Sequence, residues 1–118
     1  MNILFLDDEL DRHSKVELIY PNEQIIHAHT VDEGLNILPN FDFDIISIDH
    51  DLSNKPYTNN IFCNVDCGCN LIAKIIKIRY QFKNTKFILH SFNNEAAFQM
   101  YQDLIEYKLN AEITPFKY

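Results

Sequence analysis

Asp7-Asp8-Glu9, Asp49-His50-Asp51 and His90-Ser91 each close a short apolar run: Ile3 to Leu6, Ile45 to Ile48 broken only by Ser47, and Phe87 to Leu89. Runs of this length, rich in Ile and Phe, read as buried strands. If the strands lie parallel in an open α/β sheet, their carboxyl ends open on one edge. That edge is where such sheets bind ligands. Four aspartates, a glutamate and two histidines then meet in one cleft. Close carboxylates repel and raise each other's pKa, so the cluster calls for a cation. An oxygen-rich set suits magnesium or manganese. Asp7, Asp8, Asp49 and Asp51 are the expected ligands, with Glu9 behind them. The competing reading of Asp7 and Asp8 is a solvated strand-end turn, where Asp is common.

Imidazole titrates near neutral pH, so His50 and His90 are candidate general acid and base. A histidine that only hydrogen-bonds an aspartate is the plainer alternative. Arg12 could take a phosphate in a bidentate pair or stand solvated on a helix. His13 is expected on a helix surface, and His27 and His29 as structural residues. Ser91 is a candidate phosphate contact or a small packing residue. Asn93 could touch a ligand or cap the next helix.

These residues need elements to hold them. Asn2 to Leu6 reads as a strand, and Asp11 to about Leu18 as a short helix stopped by Pro21. Glu23 to His29 is a second strand. Thr30 and Glu33 have capping-box spacing, so a helix should run from Val31 to Leu38, where Pro39 ends it. Asp44 to Ile48 is the third strand. Asn70 to about Tyr80 is a helix with Leu71, Ile72, Ile75, Ile76 and Arg79 on one face. Lys86 to Leu89 is the fourth strand. Asn94 to Tyr107 is a helix that turns Ala97, Tyr101, Leu104 and Ile105 to the core, and Ala111 to Ile113 a fifth strand. Strict alternation of strand and helix implies a parallel sheet with right-handed crossovers. The whole of 1–118 reads as one domain, interrupted at about 52–68. That insertion is longer than an ordinary strand-to-helix loop and is a candidate lid or specificity loop. Its exposed Ile61 and Phe62 could mark a partner surface or pack over the cleft.

Composition narrows the partners. The chain has 118 residues, 10 basic and 17 acidic side chains, and a formal net charge of −7. That balance disfavours a grip on long duplex nucleic acid, which needs a basic face. A small nucleotide or a single RNA end stays open. No apolar stretch approaches the roughly 20 residues that span a bilayer, so no membrane partner and a cytoplasmic location are expected. Cys63, Cys67 and Cys69 lack the spacing and the fourth ligand of a usual zinc site, so reduced thiols are expected. No oligomer interface stands out.

The order of elements resembles the receiver domain of response regulators. Asp7 and Asp8 match its acidic pair after the first strand, and Asp49 its phosphate-accepting aspartate after the third. Asp51 falls where a receiver backbone carbonyl joins the magnesium shell. Thr114-Pro115 stands where a receiver has Lys-Pro, so the phosphate-binding lysine is missing. The resemblance implies a three-layer open five-stranded parallel sheet of flavodoxin-like, receiver-like strand order 2-1-3-4-5, here lacking the last helix.

The strings Leu6-Asp7-Asp8-Glu9, Asp49-His50-Asp51-Leu52 and His90-Ser91-Phe92-Asn93 look like the cyclic-phosphate-processing branch of that fold. The resemblance implies metal-dependent opening of a cyclic phosphate on an RNA end or nucleotide-derived molecule. His50 and His90 would then exchange protons, Asp49 would serve catalysis and metal together, and Ser91, Arg12 and Asn93 would contact substrate. Two other functions fit the same residues: a phosphoacceptor module using Asp49, and a binder of cyclic nucleotides without turnover.

Overall fold

The computed structural model describes residues 1–49, 68–90 and 94–114, without the side chains of 68–72, 94 and 96. His50, Asp51, Ser91, Asn93 and the insertion as far as Cys67 lie outside them. Five strands run β1 (Asn2–Leu6), β2 (Gln24–Ala28), β3 (Ile45–Ile48), β4 (Lys86–Leu89) and β5 (Asn110–Ile113). All neighbours pair in parallel, in the order β2-β1-β3-β4-β5. Helices α1 (Leu10–Ile19), α2 (Val31–Ile37), α3 (Gly68–Lys77) and α4 (Asn94–Glu106) alternate with the strands. Among the described residues none follows β5. No helix among them is long and apolar enough to cross a membrane.

Local chemistry sets the helix limits. The Thr30 hydroxyl accepts the Glu33 N–H at 3.1 Å, as the capping spacing predicts. The Glu33 carboxylate, however, reaches back to the His29 N–H at 3.2 Å rather than to Thr30. Pro39 lies in a short 3-10 turn (Leu38–Asn40) that closes the end of α2. Helix α4 ends on Lys108, whose φ of 64° is left-handed, and the Leu109 N–H returns to the Leu104 carbonyl. This is the usual way for a helix to satisfy its last carbonyls. Helix α4 buries Ala97, Met100 and Leu104, while Ile105, expected inward, is 43% exposed. The i, i+3, i+7 stripe runs through Met100, which puts Ile105 beyond its edge.

Alternate strand residues serve different layers. Leu4, Leu6, Ile46, Ile48, Phe87 and Leu89 are completely buried in one core cluster with Ile75 of α3 and Ala97, Met100 and Leu104 of α4. Each such aliphatic or aromatic side chain contributes about 1.5–3 kcal/mol on burial. The intervening residues point the other way. Register places Phe5 beside His27 and Ser47, Ser47 beside Ile88, and Ile88 beside Glu112. Helix α1 lies over part of this face. Ile3, Phe5, Ser47, Ile88, His90 and Glu112 line a cavity of about 210 Å³ with Val16, Ile19 and Tyr20 of α1.

Candidate functional site

Two residues beyond Phe5, Ser47 and Ile88 stand Asp7, Asp49 and His90. The sheet hydrogen bonding continues that far: Asp7 N–H bonds Ala28, Asp49 N–H bonds Leu6 and His90 N–H bonds Ile48, each to the carbonyl. The three side chains therefore occupy the next row of one face, at the carboxyl edge. This is why three runs distant in sequence deliver one cluster.

Asp7 is completely buried, Asp49 is 4% exposed and His90 1%. Carboxylate oxygens of Asp7, Asp8 and Asp49 lie within 4.8 Å of one another. Three hard oxygen donors converging in this way fit a divalent cation such as Mg²⁺ or Mn²⁺. Arg12 enters from α1. Its Nη1 stands 3.1 Å from Asp7 Oδ2, 3.4 Å from Oδ1 and 3.5 Å from Asp49 Oδ2. The plainer expectation of a solvated Arg12 does not match this geometry, since the side chain is only 20% exposed. Glu9 contributes its backbone N–H, 2.8 Å from Asp7 Oδ1.

Hydrogen bonding fixes the state of His90. Burial opposes ionisation of Asp7, but hydrogen bonds from His90, Glu9 and Arg12 outweigh it and hold the carboxyl below its usual pKa. An ionised carboxylate only accepts, so the His90 Nε2–H donates to Asp7 Oδ2 at 2.8 Å. Burial pushes the His90 pKa down despite the pull of Asp7, and Arg12 pushes the same way. The neutral ring leaves Nδ1 to accept the Ser47 hydroxyl at 2.7 Å. The ring also stacks on Phe5, with centroids 4.8 Å apart and planes 7° from parallel. Direct proton exchange between His90 and a substrate, expected from the sequence, does not fit this arrangement. Both nitrogens are engaged by protein groups and the ring is 1% exposed. His90 here positions Asp7.

His13, expected on the surface, is 6% exposed. It shares the inward face of α1 with Val16, and its Nε2–H donates to the Asp7 carbonyl at 2.6 Å. Its Nδ1 lies 2.6 Å from His27 Nδ1, and His27 Nε2 lies 2.6 Å from a Glu17 carboxylate oxygen. Burial holds the His13 pKa down, against the Asp7 carbonyl, and His29 and His27 add to the lowering. His27 and His29 are structural in this sense: both pack on His13.

Sequence reasoning thus placed Asp7, Asp8, Asp49, Arg12 and His90 in one site, and missed Ser47, Phe5 and His13. Period-two alternation was the available signal. Ser47 lies two residues before Asp49 and Phe5 two before Asp7, so each sits directly beneath the site.

Solved structures that share this fold include receiver domains. The non-phosphorylated HemR receiver domain of Leptospira biflexa superposes with a TM-score of 0.69 at 18% identity, covering 99% of this chain and 82% of that one. A CheY-like receiver domain protein of Methanospirillum hungatei gives 0.69 at 20%, covering 98% and 82%. A Burkholderia pseudomallei response regulator, solved with a phosphorylated aspartic acid, calcium ion and citrate, gives 0.68 at 21%. This chain is covered to 98% in that comparison and spans 61% of the regulator's length. No curated protein matches the chain. The sequence profile of the cyclic-phosphate processing receiver domain matches residues 2–106. With that match over nearly its whole length, and the receiver sheet order beneath it, the chain belongs to the cyclic-phosphate processing receiver domain family.

Proposed function

We propose that this domain opens a cyclic phosphate on an RNA end or nucleotide-derived molecule by hydrolysis. The observation that carries the reading is the Asp7, Asp8, Asp49 cluster, with Asp7 and Asp49 buried and the Arg12 guanidinium against their oxygens, in a chain of this family. Asp7, Asp8 and Asp49 would hold a divalent ion, with Asp51 as the further ligand proposed from sequence. Such an ion polarises a phosphoryl oxygen and lowers the pKa of a bound water.

The chain's own residues supply the rest. His90 and Ser47 keep Asp7 ionised and aimed at the cluster. Arg12 offers a planar fork to the substrate's phosphoryl oxygens. Asp49, at the end of β3, lies near both Arg12 and the acidic pair. In the reaction, a water oxygen gives up a proton and bonds to phosphorus, one ring P–O bond breaks, and the departing ribose oxygen takes up a proton. His50 is the proposed proton donor; Ser91 and Asn93 are proposed substrate contacts. The acidic balance of the chain disfavours a long duplex and leaves a nucleotide or a strand end as the substrate.

A second reading is a phosphoacceptor at Asp49, favoured by its place beside Asp7 and Asp8 at the end of β3. One assay separates the two. 2′,3′-Cyclic nucleotides and cyclic-phosphate RNA ends are incubated with protein and Mg²⁺ or Mn²⁺, and acetyl phosphate is run in parallel. Metal-dependent ring opening is expected. No turnover together with a stable phosphoryl group on Asp49 would return the domain to signalling.

A further inference from the structure

Arg12 lies where a cation belongs. Asp7 Oδ1 takes the Glu9 backbone N–H, and Asp7 Oδ2 takes the buried His90 ring. Both donors are fixed by the fold. The remaining lone pairs of Asp7 and the near oxygen of Asp49 face the Arg12 guanidinium, which arrives on a flexible stem from the first turns of α1. A divalent ion needs those lone pairs at about 2.0–2.2 Å for Mg²⁺ or Mn²⁺. An ion there and a guanidinium 3.1 Å from Asp7 Oδ2 would repel each other across a poorly screened gap.

We propose that Arg12 and the divalent ion exclude each other: Arg12 is a built-in counter-ion that steadies the carboxylates and swings out when the ion binds. The proposal rests on the metal reading above and adds how the site is loaded. Without a cation of either kind, Asp7 and Asp49 face one another in a buried row and repel. With Arg12 among them part of that charge is offset from within, at the cost of competing with the ion. Once displaced, the fork stands at the mouth of the site, next to where a phosphoryl group would sit. Loading with metal and preparing Arg12 for an anion become one movement.

The test is calorimetric titration of Mn²⁺ into EDTA-treated, dialysed wild type, Arg12→Gln and Arg12→Lys. Arg12→Gln removes the competing charge and should bind Mn²⁺ at least about tenfold more tightly than wild type. Arg12→Lys keeps a charge on a flexible stem and should stay within about threefold of wild type. Melting is the second readout. In EDTA Arg12→Gln should melt below wild type, and saturating Mn²⁺ should close the gap. Equal or weaker Mn²⁺ binding by Arg12→Gln overturns the exclusion and leaves the metal reading standing. Absence of Mn²⁺ binding in all three folded proteins overturns both. If Arg12→Gln is unfolded in EDTA, recovery in Mn²⁺ supports the proposal. Failure to recover overturns it, because an ion that takes Arg12's place must also take over its stabilising part.

Discussion

The two faces of the sheet are built from alternate residues of the same strands, yet they differ in kind. Toward α2, α3 and α4 stand Leu4, Leu6, Ile46, Ile48, Phe87 and Leu89, all apolar and all fully buried. Toward α1 stand Phe5, Ser47 and Ile88 with Asp7, Asp49 and His90 in the next row, and with His27 from β2. The first face carries the packing energy. The second carries a hydrogen-bonded chain, Ser47 to His90 to Asp7, with Arg12 and Asp49 at its end. A strand's period of two lets one five-residue run serve both. Stability and chemistry can then change independently at adjacent positions.

The sharpest way to break this contrast is at Asp49. Asp49→Asn should reduce Mn²⁺ binding to background with the circular dichroism spectrum unchanged, since the residue lies at a strand end outside the apolar cluster. Retained binding would remove Asp49 from the ion site. Ile46 and Ser47 come next, as neighbours that point to opposite faces. Ile46→Ala should cost about 2–5 kcal/mol in urea denaturation. Ser47→Ala should cost about 1 kcal/mol, the net value of one hydrogen bond, and weaken turnover through a less firmly held His90. Equal stability losses at the two positions would erase the division of labour.

Acid should expose the polar face first. The folded pKa of His90 lies below its ordinary value, so the stability held by the neutral ring is complete above about pH 6.5. It falls as pH drops below that, because the unfolded chain takes the proton more readily. His13 acts in the same direction. The folded pKa of Asp7 is also lowered, so its contribution is present above about pH 3.9 and is lost only at lower pH. The melting temperature of wild type should therefore decline in two stages on acidification. His90→Gln should shrink the first stage; an unchanged decline between pH 6.5 and 5 would mean His90 titrates normally. The smallest effect is expected away from both faces. Thr30→Ala removes the α2 cap and should cost about 1 kcal/mol without touching Mn²⁺ binding.

Much of this arrangement follows from local pattern in the sequence. The strand runs, the Thr30 cap and the acidic ends reflect interactions within a few residues, and the structure keeps all five strands within a residue or two of their expected bounds. His13 and Arg12 were harder to place. Both sit on a short helix whose mixed composition does not announce an inward face; packing against Phe5 and His27 buries His13, and the carboxylates of Asp7 and Asp49 draw Arg12 in. Ser47 read as a break in an apolar run, because its partner His90 is 43 residues away. Ile105 was drawn inward by its hydrophobicity, whereas Met100 is the residue the helix geometry buries.

The most direct test of the proposed function is ³¹P NMR of a 2′,3′-cyclic nucleotide incubated with wild type or Asp49→Asn in Mg²⁺. The cyclic phosphate signal should be replaced by a ribose phosphomonoester with wild type and persist with Asp49→Asn. A cyclic phosphate that survives folded, Mg²⁺-loaded wild type would contradict the assignment.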